Sequence, residues 1–196
     1  MRKNKIIFIV LSIFLMVGIM FLLKTPKTES SRNIEKELND LSSNDYLLSY
    51  TKDIDNPSYV GQVNNISIII YNNGKANIKY TLFNCDLKNE KFKEILPYLN
   101  QEIVLTKEQI NSIKECIVNN NFTKIKQEKE EQMVVGENYT SFITISLGSD
   151  TYTRGGNCRY VSKDYIKLED LIFNCINPDF IENISIIVEK IEMLGV

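Results

Sequence analysis

The 196-residue sequence predicts an α+β fold: an antiparallel sheet of about four to five strands with helices packed on one face, preceded by one N-terminal transmembrane helix. Three observations carry this. Residues 6–23 form an uncharged apolar run. Two runs of strand-forming residues flank the Asn73-Gly74 turn, and beyond Ser162 the apolar residues recur at helical spacing. Strands precede helices along the exterior part of the chain, which favours a sheet-and-helix layer pair over alternating parallel units.

The run IIFIVLSIFLMVGIMFLL at 6–23 corresponds to a helix of roughly 27 Å, close to the hydrocarbon thickness of a bilayer. Arg2, Lys3 and Lys5 precede it, and the positive-inside bias places residues 1–5 in the cytoplasm. Lys24-Thr-Pro-Lys-Thr-Glu-Ser-Ser31 offers no small-residue cleavage site, so the segment reads as an uncleaved signal anchor. The predicted location is the cell membrane, single-pass, with the lipid bilayer as partner of residues 6–23 and the C-terminal domain outside. Residues 24–45 form a juxtamembrane tether with a short helix marked by Ile34, Leu38 and Leu41. Residues 46–196 form the extracytoplasmic α+β domain.

Within that domain YLLSYT (46–51) is a first strand, and Pro57 and Gly61 punctuate the loop after it. NISIIIY and KANIKYTLF, joined by Asn72-Asn73-Gly74, form a hairpin whose second run alternates Ala76, Ile78, Tyr80 and Leu82 with polar residues. Phe92, Ile95, Leu96 and Leu99 mark a short helix that Pro97 kinks or ends. Thr106-Lys-Glu-Gln109 fits a capping box, followed by an apolar face of Ile110, Ile113, Cys116 and Ile117. YTSFITISL (139–147) and DTYTR (150–154) form a second strand pair. After Ser162, Ile166, Leu168, Leu171, Ile172 and Cys175 share a helical face. Asn177 then caps a further helix with Pro178 at its first position, carrying Phe180, Ile181, Ile184, Ile187, Val188 and Ile191.

Composition closes off chemistry more than it suggests any. There is no histidine, which removes histidine-based nucleophile pairs, a histidine general base and histidine-ligated metals. With no C-x-x-C motif either, no metal and no cofactor is predicted. Removing residues 1–23 takes three of the 23 basic residues and none of the 25 acidic ones, leaving a net charge of −5. A mildly acidic domain without a basic face is no nucleic-acid reader. Ile, Asn and Lys are abundant and Ala occurs once, a skew of the coding sequence that deprives the Asn-x-Ser/Thr triplets of meaning.

Few residues stand as candidates for chemistry. Ser49 and Lys52 match the S-x-x-K spacing in which lysine activates serine, but no K-T-G follows, and a strand would point the two to opposite faces. Asp53 and Asp55 read as solvated loop acids before they read as cation ligands. Arg154-Gly155-Gly156-Asn157 with Arg159 is the most suggestive loop: two of four arginines flank glycines whose amides can approach an anion, with Tyr152 and Tyr160 beside them. The bland alternative is a strand end with a glycine bulge. The charged run at 124–132 is a solvated loop or strand edge. The four cysteines (Cys85, Cys116, Cys158 and Cys175) permit two bridges in an exterior compartment. Cys158 with Cys175 is the favoured pair; the alternative is that Cys116 and Cys175 are reduced core residues.

ISIIIYNNGKANIKY, LTKEQINSIKECIVNNNF and GENYTSFITISLGSDTYTRGG, spanning residues 62 to about 176, resemble a group of uncharacterised exported or membrane-tethered domains of low-GC Gram-positive bacteria. The resemblance implies extracytoplasmic α+β architecture and no particular activity. The expected function is therefore a membrane-anchored binding or scaffolding domain of the bacterial cell envelope, its partner an envelope protein or ligand. The alternatives are an envelope hydrolase using the Ser-Lys pair or carboxylates, and a membrane-anchored immunity-type protein.

Overall fold

The computed structural model describes residues 33–54, 57, 60–125, 139–158 and 161–195. Residues 6–23, and with them the expected membrane helix, lie outside the described residues. Among the described residues no single helix is long and apolar enough to cross a membrane.

Ile34–Val196 forms one compact α+β unit. Helix α1 (Ile34–Asn39) precedes strands β1 (Tyr46–Ile54), β2 (Val63–Tyr71) and β3 (Lys75–Leu82). Two 3-10 turns, Glu90–Phe92 and Leu96–Leu99, lead into β4 (Asn100–Val104) and helix α2 (Lys107–Asn119). A third such turn, Phe122–Lys124, is followed by β5 (Tyr139–Leu147), β6 (Asp150–Asn157) and helix α3 (Lys163–Met193). The six strands are antiparallel in the order β4-β3-β2-β1-β5-β6. The sheet therefore has one strand more than the upper limit read from the sequence.

Local chemistry sets several of these elements. The β2–β3 turn needs glycine twice over: Gly74 has φ +88°, and a Cβ there would lie 2.5 Å from the Leu105 carbonyl oxygen, whose own amide donates to the Gly74 carbonyl. At α2 the Thr106 hydroxyl accepts from the Gln109 amide at 3.2 Å, while the Gln109 side chain accepts from the Thr106 amide at 2.7 Å, completing the expected capping box. The Gln109 amide group also donates to the Cys175 carbonyl, tying α2 to α3. The Ser162 hydroxyl caps α3 by accepting from the Tyr165 amide.

Alternation along the strands fixes which face is covered. Leu48, Tyr50, Ile66, Ile68, Ile70, Ala76, Ile78, Ile143 and Ile145 are buried on one side against Leu38, Ile113, Ile117, Leu168 and Ile172 of the helices. An irregular register between Tyr46 and Leu48 allows the consecutive Leu47 and Leu48 both to be buried.

Two helix readings change. The segment expected to form separate helices around Asn177 is one element, bent by 75° between Lys163–Ile176 and Phe180–Met193. The bend falls around Pro178, which has no amide hydrogen to give to the helix. The side chains of 177–179, including the expected Asn177 cap, lie outside the described residues. The inward face of the first half is also shifted: Tyr165, Leu168, Glu169, Ile172 and Ile176 are buried, whereas Ile166 is exposed.

Candidate functional site

Because β1 is a strand, Ser49 and Lys52 project to opposite sides of the sheet and form no pair. On the open side the Tyr46 hydroxyl donates to the Thr144 carbonyl at 3.0 Å and meets the Ser49 hydroxyl at 2.8 Å, which leaves Ser49 as the donor in that second bond. On the covered side Lys52 stands in register with Ser141 of β5, and its ammonium sits 3.8 Å from the centroid of the Tyr139 ring.

Around Ser141 lies a polar seam that the sequence did not disclose. The Tyr165 hydroxyl donates to Ser141 at 2.9 Å, and the Tyr50 hydroxyl donates to the Glu169 carboxylate at 2.8 Å. Tyr165 and Glu169 are four residues apart on α3, so one helical face delivers both. Burial pushes the Tyr165 phenol upward; burial first, then the Glu169 charge, does the same to Tyr50. These phenols are hydrogen-bond donors held protonated. Ser141 has no exposed surface, so the seam joins helix to sheet without presenting a nucleophile to a substrate.

The described members of the expected anion site are not gathered into a nest. Gly155 and Gly156 lie within β6, in register with Phe142 and Ser141. A Cβ on Gly155 would overlap the Ser141 carbonyl oxygen, so glycine here permits close strand approach. The Arg154 guanidinium donates to the Thr153 carbonyl at 2.7 Å and to the Thr123 carbonyl, stitching β6 to the turn after α2. Tyr152 shares the covered side with Arg154 and is half-buried. Arg159 and Tyr160 lie outside the described residues.

The other candidates are likewise separated. Asp53 accepts from the Asn65 side chain at 2.5 Å across β1 and β2, and Asp55 lies outside the described residues. All four cysteines are half-buried free thiols, so the Cys158–Cys175 bridge is not made. Burial raises the thiols of Cys85, Cys116 and Cys175, which lowers their nucleophilicity. Among the described residues no three acidic or cysteine side chains converge as metal ligands. A groove of about 280 Å³ separates α1 from α2, lined by Glu35, Asn39, Asn111, Lys114 and Glu115.

What remains is the open face of the sheet, where strand register lays side chains out in rows. One row runs Thr153, Thr144, Ser49, Ile69, Asn77 and Glu102 from β6 to β4; the next runs Gly155, Phe142, Thr51, Ser67, Lys79 and Asn100. The two halves differ in character. The β2–β4 half carries Lys79 and the Lys75–Glu102 ion pair at 2.7 Å, beside a groove of about 380 Å³ lined by Ser67, Ile69, Asn77 and Asn100. In the β1–β5–β6 half these two rows hold hydroxyls, one glycine and the half-buried Phe142 ring, with the Thr144 and Thr153 hydroxyls bonded at 2.9 Å, and the next row adds the exposed Asp53 carboxylate.

No known protein family matches the chain, and no curated protein matches it in sequence.

Proposed function

We propose that the chain is a membrane-anchored, extracytoplasmic binding domain of the bacterial cell envelope, held by residues 6–23, whose binding surface is the open face of the sheet. One observation carries the binding assignment: helices cover one face of a six-stranded sheet, and the opposite face is a broad array of hydroxyl and amide side chains with few charges. Strand register lays the polar side chains of that face out in rows that a partner can meet together. The anchor assignment rests on the uncharged run and its cationic N-terminal flank.

Both parts are tested in the full-length chain. Lys79 is exposed, so a Lys79→Cys variant in which the four half-buried native cysteines are changed to serine is expected to react with a membrane-impermeant maleimide in intact cells. Labelling of the introduced thiol only after cell lysis overturns the exterior assignment. For the binding surface, charge introduced at Thr51 or Thr144 is expected to abolish the cellular phenotype of the protein without lowering its abundance. An unchanged phenotype in both variants removes the open face as the binding surface.

A second reading has one observation in its favour, the alignment of Lys52 with Ser141. A serine-lysine enzyme would use that pair in place of Ser49 and Lys52. Under this reading a fluorophosphonate probe labels the wild type and not Ser141→Ala; the complete burial of Ser141 leads us to expect no labelling of either.

A further inference from the structure

We infer that Arg154 is a latch over the free edge of β6, and that it keeps this strand from pairing with the β6 strand of a second copy of the chain. Among the described residues the two edges of the sheet are β4 and β6. An edge strand is a template for strand addition unless it is short, charged, interrupted by proline or bent by a bulge. β4 has five residues and carries the exposed Glu102 carboxylate. β6 has eight residues, with neither lysine nor proline, and its register with β5 runs unshifted from the Thr140–Asn157 pair to the Leu147–Asp150 pair.

Ladder parity shows which backbone groups of β6 face outward. The Cys158 amide donates to the Tyr139 carbonyl, and opposed pairs of an antiparallel ladder alternate between bonded and non-bonded. Gly156, Arg154 and Tyr152 therefore turn their amides and carbonyls toward β5, whereas Gly155, Thr153 and Thr151 turn theirs away from the sheet. Thr153 is the middle of those three. Its carbonyl accepts from the Arg154 guanidinium at 2.7 Å, and the other terminal nitrogen of that group donates to the Thr123 carbonyl. The Arg154 side chain leaves the strand on the covered side, opposite the buried Ile143, so it reaches this carbonyl by bending round the edge. Its Nε is buried without a hydrogen-bond partner among the described residues, a desolvation cost that an arginine extended into water would not bear.

The position of the latch decides what it excludes. Antiparallel pairing of two β6 strands about a two-fold axis at Thr153 sets Thr153 against its own equivalent and Thr151 against the second copy's Gly155. Each outward amide then meets an outward carbonyl of the same sequence. Moving the axis by one residue either way sets Thr153 against Thr151 or Gly155 of the second copy, and the Thr153 carbonyl is still used. The Arg154 guanidinium occupies that carbonyl in every such register. One side chain thus does for β6 what shortness and an exposed carboxylate do for β4.

The test uses the full chain in detergent micelles, with the four native cysteines changed to serine and Thr153→Cys as the reporter. In a bonded antiparallel pair the two Cα atoms stand about 5.5 Å apart, within disulfide range. Under mild oxidation the chain that retains Arg154 is expected to stay monomeric. Arg154→Met keeps the aliphatic stem and loses every donor, and is expected to form the disulfide-linked dimer about tenfold faster or more. Thr151→Pro added to Arg154→Met deletes an outward amide and no bond to β5, so it is expected to return trapping to the level seen with Arg154 in place. Circular dichroism establishes that each variant is folded, and Arg154→Gln carries the same expectation if the methionine variant does not fold. Equal trapping with and without Arg154 overturns the inference. So does trapping in Arg154→Met that Thr151→Pro leaves unchanged, since the contact would then not run through the β6 edge.

Discussion

A methyl group at position 155 would overlap the Ser141 carbonyl oxygen on a backbone with φ +139°, whereas at position 156 it would meet nothing within 4 Å. Backbone strain acts on both substitutions, but steric overlap with the neighbouring strand acts on Gly155→Ala alone. Gly155→Ala is therefore expected to cost about 3 kcal/mol or more and Gly156→Ala about 1 kcal/mol. Urea unfolding of the two variants compares them directly, and equal losses would contradict the assignment of Gly155 to close strand approach. The Tyr50–Glu169 bond makes a second residue-scale claim. Removing the phenol leaves a buried carboxylate oxygen without its donor, so Tyr50→Phe is expected to cost about 1–3 kcal/mol. Glu169→Leu added to Tyr50→Phe is expected to restore part of that loss, because the unsatisfied acceptor goes with it. A double variant less stable than Tyr50→Phe would show that the carboxylate has partners of greater weight than Tyr50.

Elements formed by short-range chemistry were legible, and α2 is the clearest. Thr106→Ala removes one capping bond and is expected to cost about 1 kcal/mol. Gln109→Ala removes the reciprocal bond and the link to the Cys175 carbonyl of α3, so it is expected to cost more than Thr106→Ala in thermal unfolding. The reverse order would mean that the box alone, and not the α2–α3 link, carries the contribution of Gln109. The hairpin at Asn73-Gly74 belongs to the same class, because turn chemistry is written in adjacent residues. β4 was not legible: five residues carry only Gln101 and Ile103 on the covered face, too short an alternation to distinguish from loop. The inward face of α3 was misread because a search for apolar residues favours Ile166, while Tyr165 and Glu169 are buried by virtue of Ser141 and Tyr50. Candidate-site geometry was hidden for a related reason. Lys52 meets Ser141 through register across 89 positions of sequence, and no local spacing records that. The open face was in principle readable as the alternate residues of each strand, but which of them stand beside one another needs the strand order.

At the scale of the whole molecule the absence of histidine and the burial of tyrosine together shape the pH dependence of stability. No histidine titrates near neutrality, and the buried phenols and thiols whose values burial raises titrate on the alkaline side. Burial pushes Tyr80 up to about 12, and Tyr50 and Tyr165 are also raised above the usual 10.0. Burial raises the Cys85, Cys116 and Cys175 thiols above 9.0 in the same sense. When such groups are freed in the unfolded chain they release protons at their ordinary values, so above about pH 9 the unfolded state binds fewer protons than the native state. Stability is then fully present below the unfolded values and is lost as pH rises toward the native ones. The expected profile is a plateau in melting temperature from about pH 6 to 8, a decline beginning near pH 9 as thiols enter, and a steeper decline above pH 10. Tyrosinate absorbance from the buried phenols should appear with unfolding, not ahead of it. Tyr80→Phe removes one group from the balance and is expected to make the decline above pH 10 shallower relative to its own plateau. If all ten tyrosines ionise near pH 10 while the protein remains folded, the phenols that join α3 to the sheet are not protected, and the polar seam does not hold the two layers together in solution.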